Sequence, residues 1–369
     1  MSKVVRMILL SLAMVMCLCV VGCSKGAQTS PSPSADAPTQ SGDATSDAQT
    51  SNPTNAPTQA PTEVPAESPS ATPETFQGEG AVLWQISVKD ALTMSYVIKT
   101  KNNKIIVIDG GGDSNSGKIG DQKYPKKEIE ELMKVLKEAT GEQVPTIDAW
   151  ILTHCHSDHI NVFSHMTNHM KGTVNVKKIY YNFPTDDYMY KYGSMSKDSN
   201  STLSKFKNAI ANYSEDQIVI VQKGESYTVD NVKFNMILVP EEQITSLRVN
   251  AINESSIVFD MKLGGQRVLF LGDLGPYSNT RLRKAMRETE SEFVDVVQMA
   301  HHGSQGVSKE CYWTLEPKVC LWPTPDWLWN SDNGWETTTV YNYLVKKGVQ
   351  QHYIMKDGTV KLTFPLDLG

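Results

Sequence analysis

The sequence predicts an α/β (α+β) sandwich, two β-sheets packed face to face with helices on the outside. Three observations carry this expectation. Short β-rich runs alternate with helical patterns, as layered α/β domains require. The strand-then-helix set occurs twice along the chain. In each half, a buried-looking strand stops abruptly at metal-ligand side chains: His154 to His159 in the first, then Asp273 and His301-His302 in the second.

The chain opens with Lys3 and Arg6 before an apolar run, Met7 to Val21. That run is short for a bilayer span and reads as the core of an export signal. Val20-Val21-Gly22-Cys23 resembles a bacterial lipobox. The resemblance implies a lipoprotein signal peptide over residues 1–23, with Cys23 lipidated and the protein held by that lipid on the extracytoplasmic face of a bacterial membrane. Residues 24–76 are mostly Ser, Thr, Pro, Ala, Gln and Asp with few large apolar side chains. They cannot bury enough surface to offset ordering entropy, so a disordered tether is expected there and a folded domain over 77–369. Of six cysteines, Cys17 and Cys19 leave with the signal and Cys23 is acylated, so Cys155, Cys311 and Cys320 remain. Three thiols cannot all pair, and a Cys311–Cys320 bridge stays open.

A net charge of −6 with 40% hydrophobic residues describes a mildly acidic globular protein. No strongly basic field marks a nucleic-acid binder. A phosphodiester substrate remains compatible, because bound cations can supply local positive charge.

Residues 82–88, 94–99 and 104–109 read as three strands, closed by Gly110-Gly111-Gly112-Asp113. No G-x-G-x-x-G spacing follows, so the glycines read as a tight turn bringing Asp109 near the site. Lys126 to Ala139 carries Ile129, Leu132, Met133 and Leu136 at helical spacing. Ala149 to Leu152 is a buried strand leading into Thr153-His154-Cys155-His156-Ser157-Asp158-His159. His165 and His169, four apart on the next helix, read as packing or solvent-facing residues. Residues 176–183 read as a strand, 184–193 as an irregular aromatic and polar segment, either a loop shaping access to the site or a surface insertion, and 206–213 as a helix. Strands follow at 217–222, 226–229 and 232–239, then a hairpin of 255–261 and 266–271 around Gly264-Gly265. It ends at Gly272-Asp273. A last strand, 293–300, runs into His301-His302-Gly303-Ser304.

The first loop places four potential ligands, His154, His156, Asp158 and His159, within six residues. Imidazole and carboxylate suit zinc and similar first-row ions, and an extended loop turns Cys155 the opposite way. This pattern resembles the H-x-H-x-D-H motif of the metallo-β-lactamase-fold hydrolases. The strand ending in Gly272-Asp273, the strand followed by His301-His302-Gly303-Ser304, and Asn253-x-x-Ser256 narrow it further. Together they resemble the ComEC-type domains found on the competence DNA-uptake channel and on free-standing hydrolases, from about Val82 to the end.

The resemblance implies an αββα sandwich of two mixed β-sheets with outer helices and a site for two divalent cations, both expected to be Zn2+, with Mn2+ as the alternative metal. It implies His154 and His156 on the first cation, Asp158 and His159 on the second, Asp273 on both, and His301 completing the second. His302 stands as the alternative ligand or as a group that positions the leaving group. Catalytic work is expected of Asp158, His302 and Asn253. Two departures stand out. No histidine lies between His169 and His301, and Asn253, a weaker zinc ligand, stands in that interval. The group's opening Asp-Val-Gly-Gln-Gly-Asp is replaced by Ser87-Val88-Lys89-Asp90-Ala91-Leu92.

Trp322, Trp327, Trp329 and Trp335 fall in one short stretch, which reads first as core or rim packing and second as a stacking surface for a base, sugar or choline. The expected activity is phosphoester or phosphodiester hydrolysis by a water activated between two cations. Its substrate is a small molecule or a phosphodiester, with nucleic acid as substrate only. Ester, lactone or β-lactam hydrolysis is the enzymatic alternative. A cell-wall or choline-binding module with a vestigial metal site is the non-enzymatic one.

Overall fold

The computed structural model describes residues 77–119, 122–242, 245, 249–330 and 336–369. All lie in one compact unit, Pro69–Gly369. The expected signal peptide with Cys23, the whole of the expected tether (residues 24–76) and Trp335 lie outside the described residues.

The N-terminal half supplies strands β1 (Val82–Gln85), β2 (Ser95–Lys99) and β3 (Ile105–Asp109). A ribbon follows, β4 (Gly117–Ile119) and β5 (Gln122–Tyr124), then β6 (Thr146–Ile147), β7 (Ala149–Ile151), β8 (Asn175–Val176), β9 (Ile179–Tyr181) and β10 (Ile218–Ile220). The C-terminal half supplies β11 (Ser226–Val229), β12 (Val232–Leu238), β13 (Val258–Leu263), β14 (Gln266–Phe270) and β15 (Val296–Gln298). It ends with β16 (Val319–Trp322), β17 (Gln351–Ile354) and β18 (Val360–Thr363).

Two seven-stranded sheets result, ordered β10-β9-β7-β3-β2-β1-β18 and β11-β12-β13-β14-β15-β16-β17. Each is antiparallel across three neighbouring pairs and parallel across the other three. These are the two mixed sheets that the sequence led us to expect. Between them, Leu83, Tyr96, Ile106, Phe234, Phe259 and Phe270 form a shared apolar layer. β2 and β3 are buried on both faces, which is why they read as continuous apolar runs.

Helices cover the outer faces. α1 (Lys126–Thr140) buries Ile129, Leu132, Val135 and Leu136, and stops at Gly141, whose left-handed backbone (φ 75°) lets its N–H donate to Lys137 O at 2.8 Å. α2 (Ser157–His169) and α4 (Thr202–Ile210) complete that layer through Phe163 and Phe206. The irregular aromatic segment is in fact a short helix, α3 (Asp186–Tyr192), capped by the Thr185 side chain. Its aromatic crowding hid an ordinary N-cap. α4 also starts four residues before the expected helix, because Ser201 caps it. On the second sheet lie α5 (Asn279–Arg287), α6 (Lys309–Thr314), α7 (Asp326–Trp329) and α8 (Thr337–Lys346). No helix among the described residues is long and apolar enough to cross a membrane.

Cys155, Cys311 and Cys320 are all free and buried, so no Cys311–Cys320 bridge forms. Trp322 is fully buried beneath Trp329 and donates its indole N–H to His352 Nδ1 at 3.0 Å, a packing role. Trp327 is exposed on α7.

Candidate metal centre

Parallel strands all end at one edge of a sheet, and ligand sites gather outside their carboxyl ends. Here Asp109 closes β3, and the loop 153–159 follows β7. Gly272-Asp273 follows β14, and His301-His302 follows β15. The two halves join through Ile257 N–H, which donates to Thr153 O at 3.0 Å.

Two groups of side chains converge, each with its ligand atoms within 4.8 Å of one another: Asp158, His159, Asp273 and His302, and His154, His156 and Asp273. Asp273 belongs to both. Its Oδ2 lies 3.6 Å from His154 Nε2, 3.2 Å from His159 Nε2 and 3.7 Å from His302 Nε2. His302 Nε2 is 3.0 Å from Asp158 Oδ2. All but half-buried His156 are buried.

His301, the expected last member, falls in neither group, and His302 takes that place. The reason is backbone geometry. His301, His302 and Gly303 all adopt positive φ (50°, 55° and 78°), a tight left-handed turn. A Cβ on Gly303 would sit 2.5 Å from the Trp322 ring, so the turn demands glycine and rests on that indole. The turn orients His302 so that its Nδ1 meets Pro323 O at 2.9 Å and its Nε2 enters the cluster. The second demanding glycine is Gly272 (φ 55°), where a Cβ would lie 3.0 Å from Ser256 Cβ and 3.1 Å from Thr153 Cβ. Ser256 Oγ then accepts from Asp273 N–H at 3.0 Å, and Gln298 donates to Gly272 O.

Behind the cluster sits Asp109, placed near the site by sequence but without a task. Its carboxylate accepts from Thr153 N–H and Thr153 Oγ1, each at 2.7 Å, and faces His159 Nδ1 at 2.8 Å. That contact leaves His159 Nε2 as the free nitrogen on the cluster side. The only trace in sequence was a carboxylate ending a buried strand, one that turn-forming aspartates share. Asp109→Asn is expected to weaken cation binding at the His159 group by about 10- to 100-fold, the usual effect of losing such a support. Titration with a chelating competitor measures it, and unchanged affinity would remove Asp109 from that role.

The site's electrostatics follow from burial and crowding. Burial opposes charge on His159, yet Asp273, Asp109 and Asp158 hold its pKa well above the ordinary imidazole value. Burial likewise opposes charge on Asp273, but His159, His302 and His154 keep it well below the usual carboxylate range. Burial, aided by His159, pushes His154 well down, and burial also lowers His156, so both stay neutral as ligands must.

Asp113, just past the glycine turn, is pushed up to about 6 by burial, then by Asp158 and Glu128. A raised carboxyl pKa stabilises the fold at low pH and loses that contribution as pH rises from about 4 towards 6. In chelator-treated protein, Asp113→Asn should therefore raise the melting temperature most at pH 8 and by less at pH 5, the gain vanishing below about pH 4. A larger gain at pH 5 would contradict this placement.

The residues fit a divalent pair. His159 Nε2 and Asp273 Oδ1 are buried with no hydrogen-bond partner, as coordinating atoms would be before an ion arrives. The nitrogen and oxygen donor set suits zinc and its first-row neighbours. The His154 group has one ligand fewer than the other, in line with the missing histidine. Asn253, on a 3-10 turn, is buried, and its Oδ1 also lacks a partner. His165 and His169 stand apart from both groups, with His165 stacked on Tyr124.

A family model described as the metallo-beta-lactamase superfamily matches residues 89–322, more than half of the chain. ComE operon protein 3 of Bacillus subtilis (strain 168) is 26% identical over 183 residues, covering 49% of this chain and 20% of that protein. The chain thus spans about a fifth of that relative's length. Among solved structures, the metallo-beta-lactamase fold protein YhfI from Bacillus subtilis is 10% identical, with a TM-score of 0.44, over 76% of this chain and 98% of that one. Zn(2+)-bound PqqB from Methylobacterium extorquens is 11% identical, with a TM-score of 0.45, over 76% and 99%. CmlA, a diiron beta-hydroxylase from Streptomyces venezuelae, is 14% identical, with a TM-score of 0.46, over 78% and 54%.

Proposed function

The chain belongs to the metallo-beta-lactamase superfamily, and on that premise we propose that it is a metal-dependent phosphoesterase acting on phosphodiesters. One observation carries the reading: Asp273 is common to two buried ligand groups, the arrangement that holds two cations side by side. His154, His156 and Asp273 would hold the first, and Asp158, His159, Asp273 and His302 the second. When bound, such a pair acidifies a water and steadies both the attacking and the leaving oxygen of an in-line displacement at phosphorus.

The chain's own residues do the rest. Thr153 and Asp109 fix the His159 ring, and Pro323 O fixes His302, so neither imidazole must reorganise as charge develops. Burial of the cluster keeps bulk water from screening it. Asn253 Oδ1 is a buried acceptor without a partner, on the 3-10 turn that leads to Ser256, whose hydroxyl holds Asp273 N–H. With one ligand fewer in its group, the His154 cation should be the weaker of the two.

A chromogenic phosphodiester, a chromogenic β-lactam and a lactone, each assayed with and without chelator, test the reading. Chelator-sensitive cleavage of the phosphodiester alone supports it. Cleavage of only the lactam or lactone replaces it with acyl hydrolysis on the same residues.

The reading extends to place. We propose export and anchoring through Cys23, resting on the apolar Met7–Val21 run and the Val20-Val21-Gly22-Cys23 sequence. Cys23→Ala should shift the protein from the membrane to the soluble fraction of fractionated bacteria. Unchanged membrane association would discard the lipid anchor.

A further inference from the structure

Beside the metal loop, α2 and the β4–β5 ribbon enclose a cavity of about 60 Å3, several times the roughly 10–15 Å3 that admits one water. Lys123 and Tyr124 wall it from the ribbon, Asn161, Ser164 and His165 from α2, and Lys205 from α4. Three features distinguish it from an ordinary surface dent.

Two polar atoms in its wall lack partners. Ser164 is only 1% exposed, and its Oγ makes no hydrogen bond; Asn161 Oδ1 is likewise buried and unpaired. A buried hydroxyl without a partner carries a desolvation penalty on the order of 1–3 kcal/mol, which a ligand or ordered water relieves. The sign of the lining is the second feature. Although the chain has 41 acidic residues against 35 basic ones, the described lining holds two lysines, two histidines and no carboxylate. Neither Lys123 nor Lys205 has a carboxylate partner among the described residues. The third feature is rigidity. Tyr124 stacks on His165 with ring centroids 4.4 Å apart and planes within 8°, and burial followed by His169 lowers the imidazole to about 4. His165 is thus a neutral, fixed ring at physiological pH.

The cavity also has a fixed relation to the proposed reaction centre. Ser164 lies five residues beyond His159 on the same helix, about 7.5 Å along the axis and roughly 140° around it. Asn161 Nδ2 donates to Gly112 O at 3.2 Å, in the turn leading to Asp113, whose charge is felt by Asp158 and His302.

We propose that this cavity is a phosphate subsite that holds a second phosphate of the substrate, next to the one that is cleaved. The proposal rests on the phosphoester reading and deepens it. The preferred substrate carries at least two phosphates in succession, as an oligonucleotide does. Lys123 and Lys205 supply the countercharge and Ser164 Oγ donates to a phosphate oxygen, while Asn161 Oδ1, an acceptor, takes a hydrogen bond from an ordered water rather than from the anion.

The test has two arms, run on the full chain as wild type, as Ser164→Ala and as Lys123→Ala/Lys205→Ala. In chelator-treated protein, calorimetry with inorganic phosphate should show at least a tenfold weaker Kd in the double-lysine variant. In the metal-loaded protein, the KM for a short oligothymidylate should rise about tenfold in both variants with kcat held, while bis(p-nitrophenyl) phosphate, with a single phosphate, is cleaved as before. Equal phosphate binding by wild type and variants overturns the site. Lost phosphate binding with an unchanged oligothymidylate KM overturns its role as a substrate subsite and makes it a site for free phosphate. If wild type cleaves neither ester yet the lysine variant loses phosphate binding, the phosphoesterase reading and the subsite fail, and a bare oxyanion site remains.

Discussion

Asp273→Ala protein is expected to retain less than one tightly bound cation per chain and to turn over a phosphodiester on the order of 10^3-fold more slowly than wild type. The size follows from Asp273's double membership. It is the one residue shared by both ligand groups, so its loss leaves the first with two imidazoles and the second with three ligands. Each 1.36 kcal/mol of lost transition-state stabilisation is a factor of ten, and a cation pair contributes several kcal/mol. The fold should survive, because the layer between the sheets is built from Leu83, Phe234, Phe259, Phe270 and their neighbours, remote in kind from the polar cluster. Elemental analysis and steady-state kinetics on the same preparation, with circular dichroism as a control, read all three. Full metal content together with wild-type turnover would end the two-cation proposal.

How much of this was legible in the sequence depended on whether a residue's role was local. The loop after β7 carries its ligands within six positions, so its chemistry could be read from spacing alone. Asp273 and His302 belong to the same centre only because β14 and β15 run parallel and side by side, and spacing cannot show which strands become neighbours. A resemblance to a known family supplied that pairing where the residues could not. The choice between His301 and His302 was beyond either source. It turns on three consecutive left-handed residues packed on Trp322, and adjacent identical side chains carry no sign of which way the backbone bends. Trp322 itself read as one of four indoles in a stretch, with no hint that it underlies the turn bearing His302. Asp109 was hidden for another reason. Its partners Thr153 and His159 lie more than forty residues away, and only the β3–β7 pairing brings them together. The ribbon and α2 face that form the second cavity were hidden in the same way, since His165 and His169 drew notice as a pair and Ser164 did not.

The two adjacent histidines give the sharpest separation between the sequence's expectation and the geometry. His302→Ala should lose the cation held by Asp158, His159 and Asp273, and with it about 10^2- to 10^3-fold in turnover, because three ligands remain where four stood. His301→Ala should keep full metal content, since its ring belongs to neither group. Imidazole added in solution should restore part of the His302→Ala metal content. The buried space left by the ring is backed by Pro323 O, which can accept the N–H that His302 Nδ1 now directs at it. Rescue also guards against misreading a folding defect, because a collapsed turn would not respond to imidazole. If His301→Ala instead sheds a cation while His302→Ala holds both, the left-handed turn must point the other way, and the ligand groups built on it would have to be redrawn.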